Sequence, residues 1–337
     1  MSKPRILIIN TGGTLGMQMG PSGYEPVPGL LAKQLSQVNE LHDATMPAYE
    51  IVELDRLLDS SNMVPDDWTK IAQCIAEHYN IFDGFVVVHG TDTMAYATSA
   101  LSFMLRGLSK PIIFTGSQIP LGLRRNDARE NLITALILAS EYSISEVCLY
   151  FGGKLLRGCR SSKISTHSFS AFDSPNFPPL GEVATDIEVY SNRLKPLSSE
   201  HEFHFLPIQT QRVATFRLFP GVSSAVLENL LRHPLQALVL ESFGVGNGPT
   251  TPDFLRVLRE ATERGIVLVN CSQCGQGCVE MNSYATGKLL CDCGVVSGRD
   301  MTIEAAITKL MFLLTRQLSC DEVRRQILVN LAGELTE

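Results

Sequence analysis

Residues 5–10 (RILIIN) form a short aliphatic run that stops on a glycine-rich turn, Thr11-Gly12-Gly13-Thr14, and this pattern recurs down the first half of the chain. Residues 85–89 (FVVVH), residues 111–115 (PIIFT) and Val147–Phe151 (VCLYF) repeat it. Near-continuous apolar strands are what a parallel sheet buried on both faces requires. Between them lie stripes at helical spacing: Trp68, Ile71, Ala72 and Ile75 after a Pro65-Asp66-Asp67 start, then Leu101, Met104, Leu105 and Leu108, then Leu132, Leu136 and Ala139. Alternating strands and helices of this kind predict an α/β fold with an open, mostly parallel sheet. Phe151-Gly152-Gly153-Lys154 predicts a two-residue hairpin, an antiparallel flap on that sheet.

The rhythm loosens at residues 191–212 (SNRLKPLSSEHEFHFLPIQTQR), a polar, proline-interrupted stretch that reads as a linker. It divides the chain into an N-terminal α/β domain over residues 1–190 and a smaller C-terminal α/β domain over residues 213–337. In the latter, residues 213–218, 237–240 and 266–269 are strand-like, while Phe254, Val257, Leu258 and Ala261, and Ile303, Ile307, Leu310 and Leu314, are helical stripes. The formal charge of −7, without basic clusters, argues against nucleic-acid binding. No apolar run is long enough to span a bilayer, and the N-terminal apolar run is too short for a signal-peptide core. Nine cysteines, an odd number, fit a reducing compartment, so a cytoplasmic protein is expected.

Ligands of open α/β sheets bind beyond the carboxyl ends of the strands. Two hydroxyl-rich turns fall there: Thr11-Gly12-Gly13-Thr14-Leu15-Gly16 and Gly90-Thr91-Asp92-Thr93. Glycines let the backbone bend sharply there and leave N–H groups available to an oxyanion. A threonine hydroxyl is a weak nucleophile and needs a base. Lys163 is a candidate base, Asp92 a group to orient it or to hold a substrate ammonium, and Tyr24 lies within loop reach of Thr14. Taken singly, each residue is equally well a turn threonine, a cap, a surface lysine or a packed tyrosine.

In combination, Thr11-Gly12-Gly13-Thr14 after the first strand and His89-Gly90-Thr91-Asp92-Thr93 further on resemble the asparaginase/glutaminase family, with Asp59-Ser60-Ser61, Thr115-Gly116-Ser117 and Lys163 in matching order. The resemblance covers essentially the whole chain, and its start and C-terminal half look like the bacterial cytoplasmic type I branch. It implies hydrolysis of L-asparagine through a β-aspartyl ester on Thr14, with Thr91, Asp92 and Lys163 as a second hydroxyl triad that moves protons. Tyr24 would bond Thr14 from a mobile lid flanked by Gly20, Pro21 and Gly23. Ser60 would hold the α-carboxylate and Asp92 the α-ammonium; Asp59 and Ser61 would complete that pocket, with Ser117 near the leaving amide. No metal or organic cofactor is implied. Ser61 stands where periplasmic relatives often carry glutamine, and Asn62 where an aspartate is expected. Asparagine is expected to be preferred over glutamine, the extra methylene costing about 1–3 kcal/mol in a packed pocket.

The resemblance also implies a homotetramer built as a dimer of dimers, and a second asparagine pocket in some members. Its candidate lining here is Ser162, Glu241, Asn247 and Cys274, where Glu241 is an awkward neighbour for a carboxylate ligand. Two other readings compete. Cys271, Cys274, Cys278, Cys291 and Cys293 include one C-x2-C spacing, weak evidence of a metal without a firmly spaced partner. The glycine runs at Gly12 and Gly244 match neither a dinucleotide fingerprint nor a Walker loop. His201 and His204 read as solvated.

Overall fold

The computed structural model describes residues 3–21, 23–196, 202–232 and 234–336. They form two compact units, Met1–Ser174 with Pro178–Pro207, and Pro175–Phe177 with Ile208–Glu337. The N-terminal unit is built on an eight-stranded sheet. Its spatial order is Ile187–Val189, Gly181–Val183, Lys154–Arg157, Val147–Phe151, Ile112–Thr115, Gly84–Val88, Arg5–Gly12, Ala48–Leu58. The last five strands pair in parallel and the first three antiparallel. Numbered along the chain, the parallel strands run 2-1-3-4-5 across the sheet, so the order reverses between Arg5–Gly12 and Gly84–Val88. That is the switch point where such sheets open a crevice.

The expected strands form because their residues are buried on both faces: Ile6, Ile8 and Ile9, Phe85 to Val88, and Ile112 to Phe114 are all fully buried. The hairpin forms at Gly152 and Gly153, whose φ values of 56° and 85° make the left-handed turn that joins twisted strands. Rather than standing free as a flap, it continues into two further strands at the sheet edge. The helix Met94–Met104 is shorter than its apolar stripe: Leu105 begins a two-residue strand paired with His204–Phe205. The eleven-residue edge strand Ala48–Leu58 lacks a both-faces apolar pattern and carries Glu50, Glu53, Asp55 and Arg56.

In the C-terminal unit, four parallel strands lie in chain order: Val213–Arg217, Ala237–Ser242, Val267–Ser272 and Val296–Ser297. The helices Ser224–Arg232 and Pro252–Glu263 bring Leu227, Leu231, Phe254 and Leu258 onto Leu238, Leu240 and Leu268 in one core. Its C-terminal end is locked by a fully buried ion pair, Lys309 to Glu334 at 2.6 Å. Among the described residues no helix is long and apolar enough to cross a membrane.

Candidate active site

Four strand ends meet at the switch point because glycines leave no side chain between them. A Cβ on Gly12 would lie 2.3 Å from the carbonyl oxygen of Leu58, and one on Gly13 2.4 Å from the amide nitrogen of Gly90. A Cβ on Gly90 would lie 2.5 Å from Ser60 Oγ, and one on Gly116 2.4 Å from the carbonyl oxygen of His89. The turns that carry Thr14, Ser60, Thr91 and Ser117 therefore touch, backbone to backbone except where the Gly90 backbone meets the Ser60 side chain. Gly12 and Gly13 also hold φ of 107° and 85°, which side-chain-bearing residues rarely adopt.

Buried polar groups fasten this arrangement. Thr11 Oγ1 donates to the Val88 carbonyl (3.0 Å), and Thr115 Oγ1 to that of Tyr150 (2.9 Å). Asn10 Oδ1 accepts from the Gly12 N–H (3.1 Å), and the Gly13 N–H donates to Leu58 (3.2 Å). These two glycine N–H groups are thus already bonded, which corrects the expectation that they would be available to an oxyanion. Thr93 Oγ1 donates to the Ser60 carbonyl at 2.8 Å, and Asp59 Oδ1 accepts from the Ser61 N–H and hydroxyl, both at 2.9 Å. Burial pushes the His89 ring down to about 4, against the opposing pull of its bond to the Gly90 carbonyl, so the imidazole is neutral. Its Nδ1–H donates to that carbonyl at 2.7 Å and Nε2 has no hydrogen-bond partner among the described residues.

The clearest chemical constellation is Thr91, Asp92 and Lys163. Lys163 Nζ donates to Thr91 Oγ1 at 2.9 Å and to Asp92 Oδ1 at 2.7 Å. Lys163 stands on a two-residue strand, Ser162–Lys163, paired with Phe172–Asp173. The lysine and Thr91 are largely shielded, whereas the Asp92 side chain is 61 % exposed. Thr14 opens a short 3-10 turn, Thr14–Gly16, and is half-buried. Tyr24 lies on a hairpin, Met17–Gly20 against Gly23–Pro26, 44 % exposed; no hydrogen bond joins it to Thr14 among the described residues. Ser60 and Ser117 are buried, and Ser117 Oγ has no hydrogen-bond partner among the described residues.

Several positioning residues carry no motif of their own. Asp127 accepts from the N–H groups of Gln118 and Ile119 and from Asn131, which fixes the turn after Ser117. Its only signal in the sequence is an acid directly before the helix Ala128–Glu141. Ser162 belongs to the N-terminal unit; Glu241, Asn247 and Cys274 belong to the C-terminal one. Glu241 pairs with Arg217 at 3.1 Å, Asn247 Oδ1 accepts from Thr286 at 2.7 Å, and Cys274 is exposed. All nine cysteines are free thiols, and burial pushes Cys271 up to about 12. No group of histidines, cysteines or acids among the described residues could hold a metal ion. His204 is exposed; His201 lies outside the described residues.

Residues 5–195 match the family model for the asparaginase N-terminal domain, and residues 212–327 that for the glutaminase/asparaginase C-terminal domain. The chain is 48 % identical to L-asparaginase 1 of Escherichia coli K12 over 336 residues, covering 100 % of this chain and 99 % of that protein. It is 40 % identical to a mouse (Mus musculus) protein called 60 kDa lysophospholipase, over 98 % of this chain and 62 % of that one. The crystal structure of L-asparaginase I from Vibrio cholerae superposes with a TM-score of 0.93 at 46 % identity, covering 100 % of both chains. The chain belongs to the asparaginase family.

Proposed function

We propose that this chain hydrolyses L-asparagine to L-aspartate and ammonia, with Thr14 as the nucleophile. The observation that carries the reading is Lys163 bridging Thr91 Oγ1 and Asp92 Oδ1 beside the strand end that presents Thr14. In acylation, Thr14 Oγ1 attacks the side-chain amide carbon, the Thr14 hydroxyl proton passes to the amide nitrogen, and the C–N bond breaks to release ammonia. In deacylation, water attacks the β-aspartyl ester carbon, its proton is relayed by Thr91 and Lys163 to Thr14 Oγ1, and the ester C–O bond breaks to release L-aspartate and restore the Thr14 hydroxyl. Ser60 binds the α-carboxylate, with Asp59 and Ser61 completing that wall. Asp92 binds the α-ammonium: it is bonded to Lys163 through Oδ1 and its side chain is open to solvent. Ser117 Oγ, buried and without a hydrogen-bond partner among the described residues, is available to the leaving amide. Tyr24 closes over Thr14 when its hairpin moves inward.

The same reading makes the protein cytoplasmic, a homotetramer assembled as a dimer of dimers, and independent of metals and organic cofactors. Asparagine itself is the candidate effector for Ser162, Glu241, Asn247 and Cys274. Ammonia release from purified protein tests the reading. Asparagine should be turned over at least about ten-fold more efficiently than glutamine, and a lysophospholipid should release no fatty acid. Absence of ammonia from both amides in folded protein would overturn it.

A further inference from the structure

A cavity of about 470 Å³ in the N-terminal unit is lined by Gln118, Ile119, Arg125, Thr166, His167 and Phe169. Its lining contains a guanidinium and an imidazole and no carboxylate, in a chain whose formal charge is −7. Arg125 is held over the Phe169 ring, 5.3 Å from its centroid, and pairs with no carboxylate among the described residues. Arg129, on the following helix, is by contrast neutralised by Glu40 at 3.1 Å. The segment that carries Thr166, His167 and Phe169 is ordered by its own hydrogen bonds. Ser165 Oγ accepts from the N–H groups of His167 (3.3 Å) and Ser168 (3.0 Å), and Gln118 Nε2 donates to the Ser168 carbonyl at 3.0 Å. The side chains of Thr166 and His167 make no hydrogen bond among the described residues.

We propose that this cavity is a binding site for a small organic anion, whose carboxylate or phosphate group is taken by Arg125, His167 and Thr166. A guanidinium over an aromatic ring offers a fork of donors to an oxyanion, and the imidazole and hydroxyl add donors from the same lining. The volume exceeds what a bare ion fills, so the organic remainder lies against Ile119 and Phe169. The site is independent of which threonine does the chemistry. It is also coupled to the candidate active site by the chain itself, since Gln118 follows Ser117 and Thr166 lies just beyond Lys163.

The test is titration calorimetry of the full chain with inorganic phosphate and, separately, succinate, at constant ionic strength. Wild type, Arg125→Ala, Arg125→Lys and the nearby exposed Arg124→Ala are compared, with melting temperature as the control for folding. Saturable binding of one anion that weakens about ten-fold or more in Arg125→Ala and stays unchanged in Arg124→Ala is expected, with Arg125→Lys intermediate. The anion that shows this Arg125-dependent component identifies the group as phosphate or carboxylate. No saturable binding of either up to roughly 10 mM, or binding that Arg125→Ala leaves untouched in a folded protein, would overturn the proposal.

Discussion

Lys163 Nζ sits 2.9 Å from Thr91 Oγ1, although the two residues are far apart in sequence and on different strand ends. In the proposed reaction this contact makes Thr91 part of a proton path. Thr91→Val and Lys163→Ala are each expected to lower kcat by about 10²–10⁴-fold, the range for a positioned acid–base group. The double variant should lose little more, because the two act as one unit. Thr91→Ser, which keeps the hydroxyl, should retain most of the activity. Additive losses in steady-state kinetics would separate the two residues.

The close approach of Gly90 to Ser60 gives a prediction that needs no assay of turnover. Gly90→Ala places a methyl group 2.5 Å from Ser60 Oγ and 2.7 Å from Ser60 Cβ. Overpacking of this kind costs about 1–3 kcal/mol. Ser60→Gly in the same chain removes both clashing atoms and should recover most of that loss. Urea denaturation of the two singles and the double measures it.

His89 makes stability depend on pH. Its ring is pushed by burial to about 4 in the folded chain, against about 6.5 when unfolded. Below the unfolded value the unfolded chain gains a proton that the folded one refuses. Stability is therefore full above about pH 6.5 and falls toward pH 4, by about 3 kcal/mol in total. The urea midpoint of wild type should decline over that interval more steeply than that of His89→Gln. Equal slopes would mean that His89 is protonated in the folded chain.

The fold and the site were legible in the sequence to different degrees. Strands buried on both faces announce themselves, as residues 85–88 do, because every side chain there must be apolar. The edge strand Ala48–Leu58 exposes one side and carries Glu50, Glu53, Asp55 and Arg56, so its pattern resembles a loop. Thr14 and Thr91 stood out because each follows a glycine turn at a strand end. The meeting of Gly13 with Gly90, and of Gly90 with Ser60, depends on the order in which strands pair, which no local pattern encodes. Nor could the residues show that the Gly12 and Gly13 N–H groups are occupied, since one partner, Leu58, lies on the strand the pattern concealed.

Lys309 and Glu334 set a separate test of stability. Burial pushes the Glu334 carboxyl up, but Lys309 and the N–H groups of Leu331 and Ala332 outweigh it and hold the group below its ordinary value. Its contribution is complete above the ordinary glutamate value of about 4.3 and is lost as pH falls through the lower folded value. Lys309→Met leaves a buried, unpaired carboxylate and should cost about 3–5 kcal/mol near neutral pH. Lys309→Met with Glu334→Gln should cost less than Lys309→Met alone. Melting curves at neutral and acidic pH check both statements: the gap between wild type and Glu334→Gln should narrow in acid.

The central claim is that Thr14 carries the acyl group. Acid quench of the enzyme during turnover of L-asparagine, followed by peptide mass spectrometry, locates the adduct directly. The account predicts an aspartyl ester on the peptide containing Thr14, and neither adduct nor asparagine-dependent ammonia in Thr14→Ala. An adduct on the Thr91 peptide, or undiminished turnover by Thr14→Ala, would contradict it.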